Sequence, residues 1–171
     1  MIVALATAVA TMLTSSFTPE SRARMLGKSA ALEGDPVSAG KRPSTLGVTD
    51  GQLGRTRRSP NNVSSHADPS DAEHYIAPIP YSGPPDAAIA ALRKLIEASE
   101  RTQIVNYDTH YLHAEYKSRL LGFVDDVEFL VAEKEDVIHV RSASRLGRRD
   151  FGVNRKRIES IRTQFPSFRD A

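Results

Sequence analysis

Apolar side chains recur along this chain in two rhythms. In the run GPPDAAIAALRKLIEAS, residues 83–99, Ile89, Leu92, Leu95 and Ile96 fall at helical spacing with Ala between them. That spacing puts one apolar stripe on a helix. Pro84, Pro85 and Asp86 suit its first turn, where N–H groups lack partners and negative charge is favoured. From residue 102 the rhythm shortens to two, and TQIVNY, YLHAEYKSRL, FVDDVEFLVA and DVIHVRSAS predict three or four strands. The helical period returns from about Gly152, where Ile158, Ile161 and Phe165 would face a sheet. Ahead of the first helix, HYIAPIPY alternates but carries Pro78 and Pro80, which cannot donate to a ladder, so it predicts an edge strand or extended arm. Strand, helix, strands, helix is the order of an α+β domain. The expected fold is a small antiparallel sheet of four to five strands with two main helices on one face, preceded by an extended N-terminal segment.

Strand registers follow from pairing apolar with apolar. A two-residue loop at Leu121-Gly122, with Gly free to take positive φ, pairs Leu120 with Phe123, Tyr116 with Val127 and Ala114 with Phe129. A turn through EKED pairs Phe129 with Ile138 and Val127 with Val140. The reverse face then collects charge. Lys117 lies opposite Asp126, Asp126 opposite Arg141, Glu115 opposite Glu128, and Glu128 opposite His139, with His113 and Arg119 extending the row. A slip of one residue would bury this lattice and expose the Phe and Val residues.

Residues 33–72 show neither rhythm. Only five of these 40 are Leu, Ile, Val or Phe, and fifteen are Gly, Pro or Ser. Such a stretch buries too little apolar surface to offset its ordering entropy. The expected division is a signal or anchor segment at 1–16, a mostly extended or disordered linker at 17–72 and the α+β domain at 73–165. Within the linker, TPESRARML has an N-cap at Thr18 and a Pro at the next position, which predicts a short helix. Residues 1–13 are apolar apart from Thr7 and Thr11. That is short of the roughly 20 residues a spanning helix needs. The length suits a signal-peptide core, and Ala8-Val9-Ala10 is an A-x-A cleavage pattern, although the positive n-region is missing. Export or membrane anchoring, in the cell envelope, is the expectation.

Composition narrows the chemistry. The 171 residues suit one domain plus tails, and the chain has no cysteine. Disulfides, thiolate nucleophiles and Cys-based metal sites are thereby excluded. The net charge is +2, too balanced to predict a polyanion partner for the whole chain. Charge is instead regional. Residues 141–171 hold nine Arg or Lys and three acids, a net of +6; residues 108–136 hold three and eight, a net of −5.

The basic block admits three readings. Arg141, Arg145 and Arg155 can neutralise Asp125, Asp126 and Glu128, because a guanidinium grips a carboxylate with two hydrogen bonds. Alternatively, the N-terminus of the last helix, around Gly152-Val153-Asn154, can hold a phosphate or headgroup with Arg148, Arg149 and Arg155. Nucleic acid is disfavoured: only Phe151 interrupts the basic run, and no RNP, KH or helix-turn-helix pattern appears. The candidate anion- or partner-binding residues are therefore Arg141, Arg145, Arg148, Arg149, Asn154 and Arg155.

SPNNVSS (59–65), HYIAPIPY (74–81), YLHAEYKSRLLGFVDDVEFL (111–130) and IHVRSASRLGRRDFGVNRKRIE (138–159) together resemble the bacterial and plastid family called domain of unknown function 1499, over about residues 58–162. The resemblance implies a fold and a residue pattern but no reaction. Members often carry a signal peptide or lipoprotein signal, which implies an envelope or membrane-facing location. The family pattern reads S-P-N-C-V-S-S, and Asn62 stands here at the cysteine position. Redox or metal chemistry at that cysteine is not open to this chain.

Catalytic chemistry finds little support. Glu115 facing Glu128 is the one pair able to raise a carboxyl pKa, and nearby cations oppose it. His113, Glu115, Glu128 and His139 could cluster as metal ligands, but Lys117, Arg119 and Arg141 crowd the same face. Ser64, Ser65 and His66 adjoin in sequence without a nucleophile elbow. No catalytic residue, metal ligand or cofactor is assigned. The expected function is a non-enzymatic module that docks on an unknown protein or a membrane surface through the charged lattice (His113, Glu115, Lys117, Arg119, Asp126, Glu128, His139) and the basic C-terminal segment. A small-ligand or anion-binding protein is the alternative, and an enzyme comes third. A ligand-binding protein should keep a deep cavity, whereas a docking module should fill its core.

Overall fold

The computed structural model describes residues 39–55 and 57–169. The expected signal or anchor segment and the helix from Thr18 lie outside these residues. The elements are β1 Val48–Thr49, β2 Gln52–Leu53, β3 Asn62–Ser64, β4 Ile79–Pro80, α1 Pro85–Glu97, β5 Thr102–Tyr107, β6 Tyr111–Lys117, β7 Val124–Ala132, β8 Val137–Ser144 and α2 Val153–Arg169. The main sheet is antiparallel, in the order β3-β8-β7-β6-β5, with β4 also on β8. The α+β class holds, with six strands rather than four to five.

Both helices cover one face. Ala88, Ile89, Ala91, Leu92, Leu95 and Ile96 are the buried side of α1. Ile158, Ile161 and Phe165 are buried on α2. They meet Leu112, Ala114, Val127, Phe129, Val131, Ile138 and Val140 in one cluster. Each fully buried large aliphatic or aromatic residue there stabilises the fold by about 1.5–3 kcal/mol.

The division of faces agrees with the alternation, but the registers differ by two residues in both hairpins. Ala114 lies opposite Val127 and Tyr116 opposite Asp125; Phe129 lies opposite Val140 and Val131 opposite Ile138. The loops are longer than expected. Ser118 N–H donates to the Phe123 carbonyl at 2.8 Å, and Phe123 N–H donates to the Ser118 hydroxyl at 2.9 Å. Closure at that pair leaves four residues in the turn, with Gly122 at φ 67° and Leu120 92% exposed instead of paired. Ala132 likewise pairs with Val137, leaving 133–136 as the turn and Asp136 at φ 52°. A shift of two changes partners and preserves faces.

The sheet also takes in residues read as linker. Asn62–Ser64 pairs with β8, and Val63 is buried in the core. Upstream, β1 and β2 form a separate hairpin through Asp50 at φ 52° and Gly51 at φ 73°. Positive φ at both central residues is the turn that fits strand twist, and Asp-Gly is its preferred sequence. This hairpin lies over the second face of the sheet, where Leu53 packs with Tyr111 and Leu130.

Candidate functional site

The charged lattice exists, but it is interior. Glu128, Asp126, Arg141, His113 and Glu115 are all buried beneath residues 39–55. The expectation that this face is an open docking surface is therefore corrected. Its charges are matched within the fold. Arg141 Nη1 donates to Glu128 Oε2 at 2.5 Å. Tyr111 OH and Gly47 N–H each donate to Glu128 Oε1 at 2.7 Å. Arg145 grips Asp126 with Nε at 2.9 Å and Nη2 at 2.8 Å, and its Nη2 also meets Glu115. His113 Nε2 lies 2.9 Å from Asp126 Oδ1, and Arg42 Nε donates to Glu115 Oε1 at 2.8 Å.

Protonation follows from these contacts. Burial alone would raise the Asp126 carboxyl, but hydrogen bonds from Arg145 and His113 outweigh it and hold the group below the usual carboxylate range. Burial beside Glu128 pushes the Tyr111 phenol up, so it stays a donor. Oxygens or nitrogens of His113, Glu115 and Asp126 lie within 4.8 Å of one another, which suits a divalent cation by distance. Arg145 already binds both carboxylates with the same charge sign, so a metal would have to displace it. The other grouping, with His139, is not assembled. His139 lies opposite Leu130 and reaches towards Ser65 and His66. Lys117 lies opposite Val124, and Arg119 is exposed in the turn, so neither meets Asp126 across the strands.

The basic block is largely spent inside the fold: Arg141 and Arg145 meet Glu128 and Asp126, within the set expected for mutual neutralisation, whereas the contacts of Arg155 and Asp125 differ from it. Arg155 meets the carbonyls of Ala72, Glu73 and Tyr75. Asp125 is held by Arg157 at 2.6 Å, whose guanidinium also stacks 4.7 Å above the Tyr116 ring. The anticipated anion site at the start of α2 is filled by the chain's own carboxylate. Asp150 accepts from Gly152 N–H at 3.0 Å, Asn154 N–H at 2.8 Å and Asn154 Nδ2 at 2.8 Å. Asn154, fully buried, also bonds Ser142, Ser144 and the Asn61 carbonyl. Its role is to join α2 to β8 and β3.

A serine and two histidines meet beside the hairpin. Ser65 Oγ lies 3.1 Å from His139 Nδ1, and Glu135 Oε2 lies 3.6 Å from His139 Nε2. The order resembles a nucleophile, base and acid. However, Ser65 Oγ already accepts from Val140 N–H at 2.9 Å while Ser65 N–H donates to the Val140 carbonyl. The hydroxyl thus replaces a ladder carbonyl where β3 ends, and Glu135 is beyond hydrogen-bond reach. His66 stacks on His139 with ring centroids 4.1 Å apart, and its Nδ1 accepts from Leu53 N–H at 3.2 Å. Burial, and then the neighbouring His139, lower its pKa against a smaller opposing effect of Glu135. A cleft of about 260 Å³ opens between Gln52, Gly54 and Arg55 of the hairpin and His66 and Asp68.

The two ends of the sheet differ in charge. At one end Arg145 N–H meets the Val124 carbonyl, Ser144 N–H meets the Asn61 carbonyl, and Lys117 N–H meets the Arg101 carbonyl. Loops 57–61, 118–123 and 145–152 therefore share that end. They expose Arg57, Arg58, Arg119, Arg148 and Arg149, together with Leu120, Leu121 (62% exposed) and Phe151 (87% exposed). The acids there are engaged: Asp150 caps α2, and Glu100 pairs with Arg101. At the other end, where Val131 N–H meets the His110 carbonyl, turns 108–110 and 133–136 carry Asp108, Glu133, Glu135 and Asp136 against Lys134.

A family model described as Protein of unknown function (DUF1499) matches residues 52–165. The chain belongs to this family. No curated protein matches it. The DUF1499 match begins in β2 and ends at Phe165, the last buried residue of α2. It thus takes in β3 and the connection to β4, upstream of the domain start read at residue 73. Asn62, where the resemblance implied a cysteine, is buried in β3 and donates through Nδ2 to the carbonyls of Arg57 and Ser59 at 3.0 and 2.5 Å.

Proposed function

We propose that this chain is a non-enzymatic interaction module, exported or membrane-associated in the cell envelope, that docks on another surface through its basic loop end. The observation that carries the reading is the contrast in how its charges are used. The lattice carboxylates and their arginines are paired and buried, whereas Arg119, Arg148 and Arg149 stand exposed beside Leu120, Leu121 and Phe151. Exposed apolar groups rimmed by charge are the usual mark of a surface that meets a partner. The space between helices and sheet is filled by Leu92, Ile96, Phe129, Ile158 and Phe165, which supports docking over a ligand held in the core. Residues 1–16, read as a signal or anchor, would deliver the module to the envelope.

Photocrosslinkers placed at Leu120, Phe151 and Lys134 in the full chain, followed by fractionation into membrane, periplasm and cytosol, test this. Adducts are expected from the first two positions in the envelope fractions and not from Lys134. Equal labelling from both ends, or none, overturns the reading. A small-ligand or anion-binding protein is the second reading, favoured by the cleft beside His66 and Arg55.

A further inference from the structure

We infer that the surface met by the basic loop end is an anionic lipid bilayer, with Leu120, Leu121 and Phe151 entering the interface and Arg57, Arg58, Arg119, Arg148 and Arg149 on the headgroups. The inference rests on the docking reading above and names its partner.

Three observations point to lipid. First, the exposed apolar side chains stand on two turns that also carry exposed arginines, Leu120 and Leu121 following Arg119, and Phe151 following Arg148 and Arg149. A bilayer accepts scattered apolar side chains at the headgroup–acyl boundary while arginine stems lie along it and keep their charge in the headgroups. Second, Phe151 is held at φ 53°, a conformation that bulky residues rarely adopt. The Asp150 bonds to Gly152 and Asn154 fix the loop on either side of it, so the ring is held outward with its surface in water. Third, the acidic far end gives the domain a charge axis that steers the basic end towards a negative surface.

The sequence has no tryptophan, so a single introduced indole reports its surroundings alone. Phe151→Trp and, as a control, Lys134→Trp are prepared in the full chain and mixed with vesicles of phosphatidylcholine, or of equal parts phosphatidylcholine and phosphatidylglycerol. The expected result is a blue-shifted emission for F151W on the anionic vesicles only, weakening with salt, and no shift for K134W. Binding should fall about fivefold for each arginine lost among R119Q, R148Q and R149Q. Leu120→Ser with Leu121→Ser should reduce binding while leaving the circular dichroism unchanged. Because these variants keep residues 1–13, a loss of binding reports the loops and not the N-terminal segment. Equal shifts from 134 and 151, or salt-insensitive binding unaffected by the arginine variants, overturn the inference. No shift on any vesicle also overturns it. In that case protein adducts from Leu120 and Phe151 in cells leave docking standing, and their absence removes both.

Discussion

The two faces of the sheet are buried by opposite means. One meets α1 and α2 mainly through apolar side chains, with Phe129 and Phe165 fully enclosed and Asn154 and Arg157 of α2 adding polar contacts to Ser142, Ser144 and Asp125. The other meets a two-stranded hairpin and its flanking chain through carboxylates, arginines and a phenol, with only Leu53, Tyr111 and Leu130 as apolar contact. Apolar burial is non-directional and adds roughly in proportion to area. A buried ion pair must recover the hydration of both partners, and it approaches break-even only when geometry and extra hydrogen bonds are good. The helix face is thus expected to supply most of the stability. The hairpin face is expected to fix register and the position of residues 39–55.

The comparison is broken most directly by removing one member from each face. Arg141→Ala leaves Glu128 charged and enclosed with only Tyr111 and Gly47 as donors, and it should cost about 3–5 kcal/mol. Phe129→Ala should cost a similar amount, about 3–5 kcal/mol, through cavity and transfer losses. The two then part company. Arg141→Met combined with Glu128→Leu should recover most of the loss, since an apolar pair of similar volume often matches a buried ion pair. Urea denaturation of the three variants checks this. A double variant as weak as R141A would show that the ion pair itself carries the stability.

The next effect concerns the hairpin alone. Leu53→Ala removes the main apolar contact between hairpin and sheet and should cost about 2 kcal/mol, the low end for such truncations because the cluster is small. The loss should be local. Hydrogen exchange is expected to quicken at Gly47 and in β1 and β2, while the α1 and α2 amides hold their protection. Uniform acceleration would mean that hairpin and helices unfold together.

The faces were legible because alternation survives a register error of two. Leu120 and Leu121 were read as strand and its tight turn, since nothing in a local apolar pattern distinguishes a Leu that pairs from one that stands in solvent. The turn length was set by a Ser118 hydroxyl, which periodicity does not register. The covering hairpin was hidden for a different reason. In a stretch with fifteen Gly, Pro or Ser among 40 residues, one Leu and one Arg do not shift an average, yet Leu53 and Arg42 make the contacts. Asp50-Gly51 was the available signal. Face parity assigns His113, Glu115, Asp126, Glu128 and Arg141 to one face, and these are the expected residues that are buried there together. The engagement of Glu128 and Asp126 by Arg141 and Arg145 was legible as well, whereas the cross-strand pairings were not, and neither was the burial, which depends on a segment distant in sequence.

Acidification should act on the hairpin face ahead of the helix face. His66 has its pKa lowered in the fold, so the unfolded chain binds a proton more readily. That contribution to stability is present above the unfolded value near 6.5 and is lost as pH falls through the folded value. A proton on Nδ1 also removes the acceptor for Leu53 N–H. Asp126 is lowered as well, and its contribution disappears only below the ordinary carboxylate range. His74 runs the other way. Burial opposes its proton, but bonds to Asp71 and Ser59 raise its pKa, so its contribution is lost as pH rises. The expected outcome is a drop in protection of the Leu53 amide as pH falls below about 6.5, followed by global unfolding at far lower pH. His66→Asn, which keeps an acceptor that does not titrate, should abolish the first step. An unchanged step in H66N would show that His66 is not its source.

The smallest effect on stability should come from the charges with the largest expected effect on docking. Arg148 and Arg149 are exposed, with no ion pair to lose among the described residues. Arg148→Gln with Arg149→Gln should therefore change the unfolding free energy by no more than about 0.5 kcal/mol. Arg141 and Arg145, eight and four residues away from them at most, sit at the opposite extreme because each holds a buried carboxylate. Five arginines replaced one at a time would thus sort the basic block into two classes that composition cannot separate. Measured midpoints in urea should fall steeply for Arg141 and Arg145 and stay within error for Arg119, Arg148 and Arg149. A midpoint for R148Q/R149Q that falls with the buried pair would mean the loop end is part of the folded network, and its charges would then be no more free to meet a partner than those beneath the hairpin.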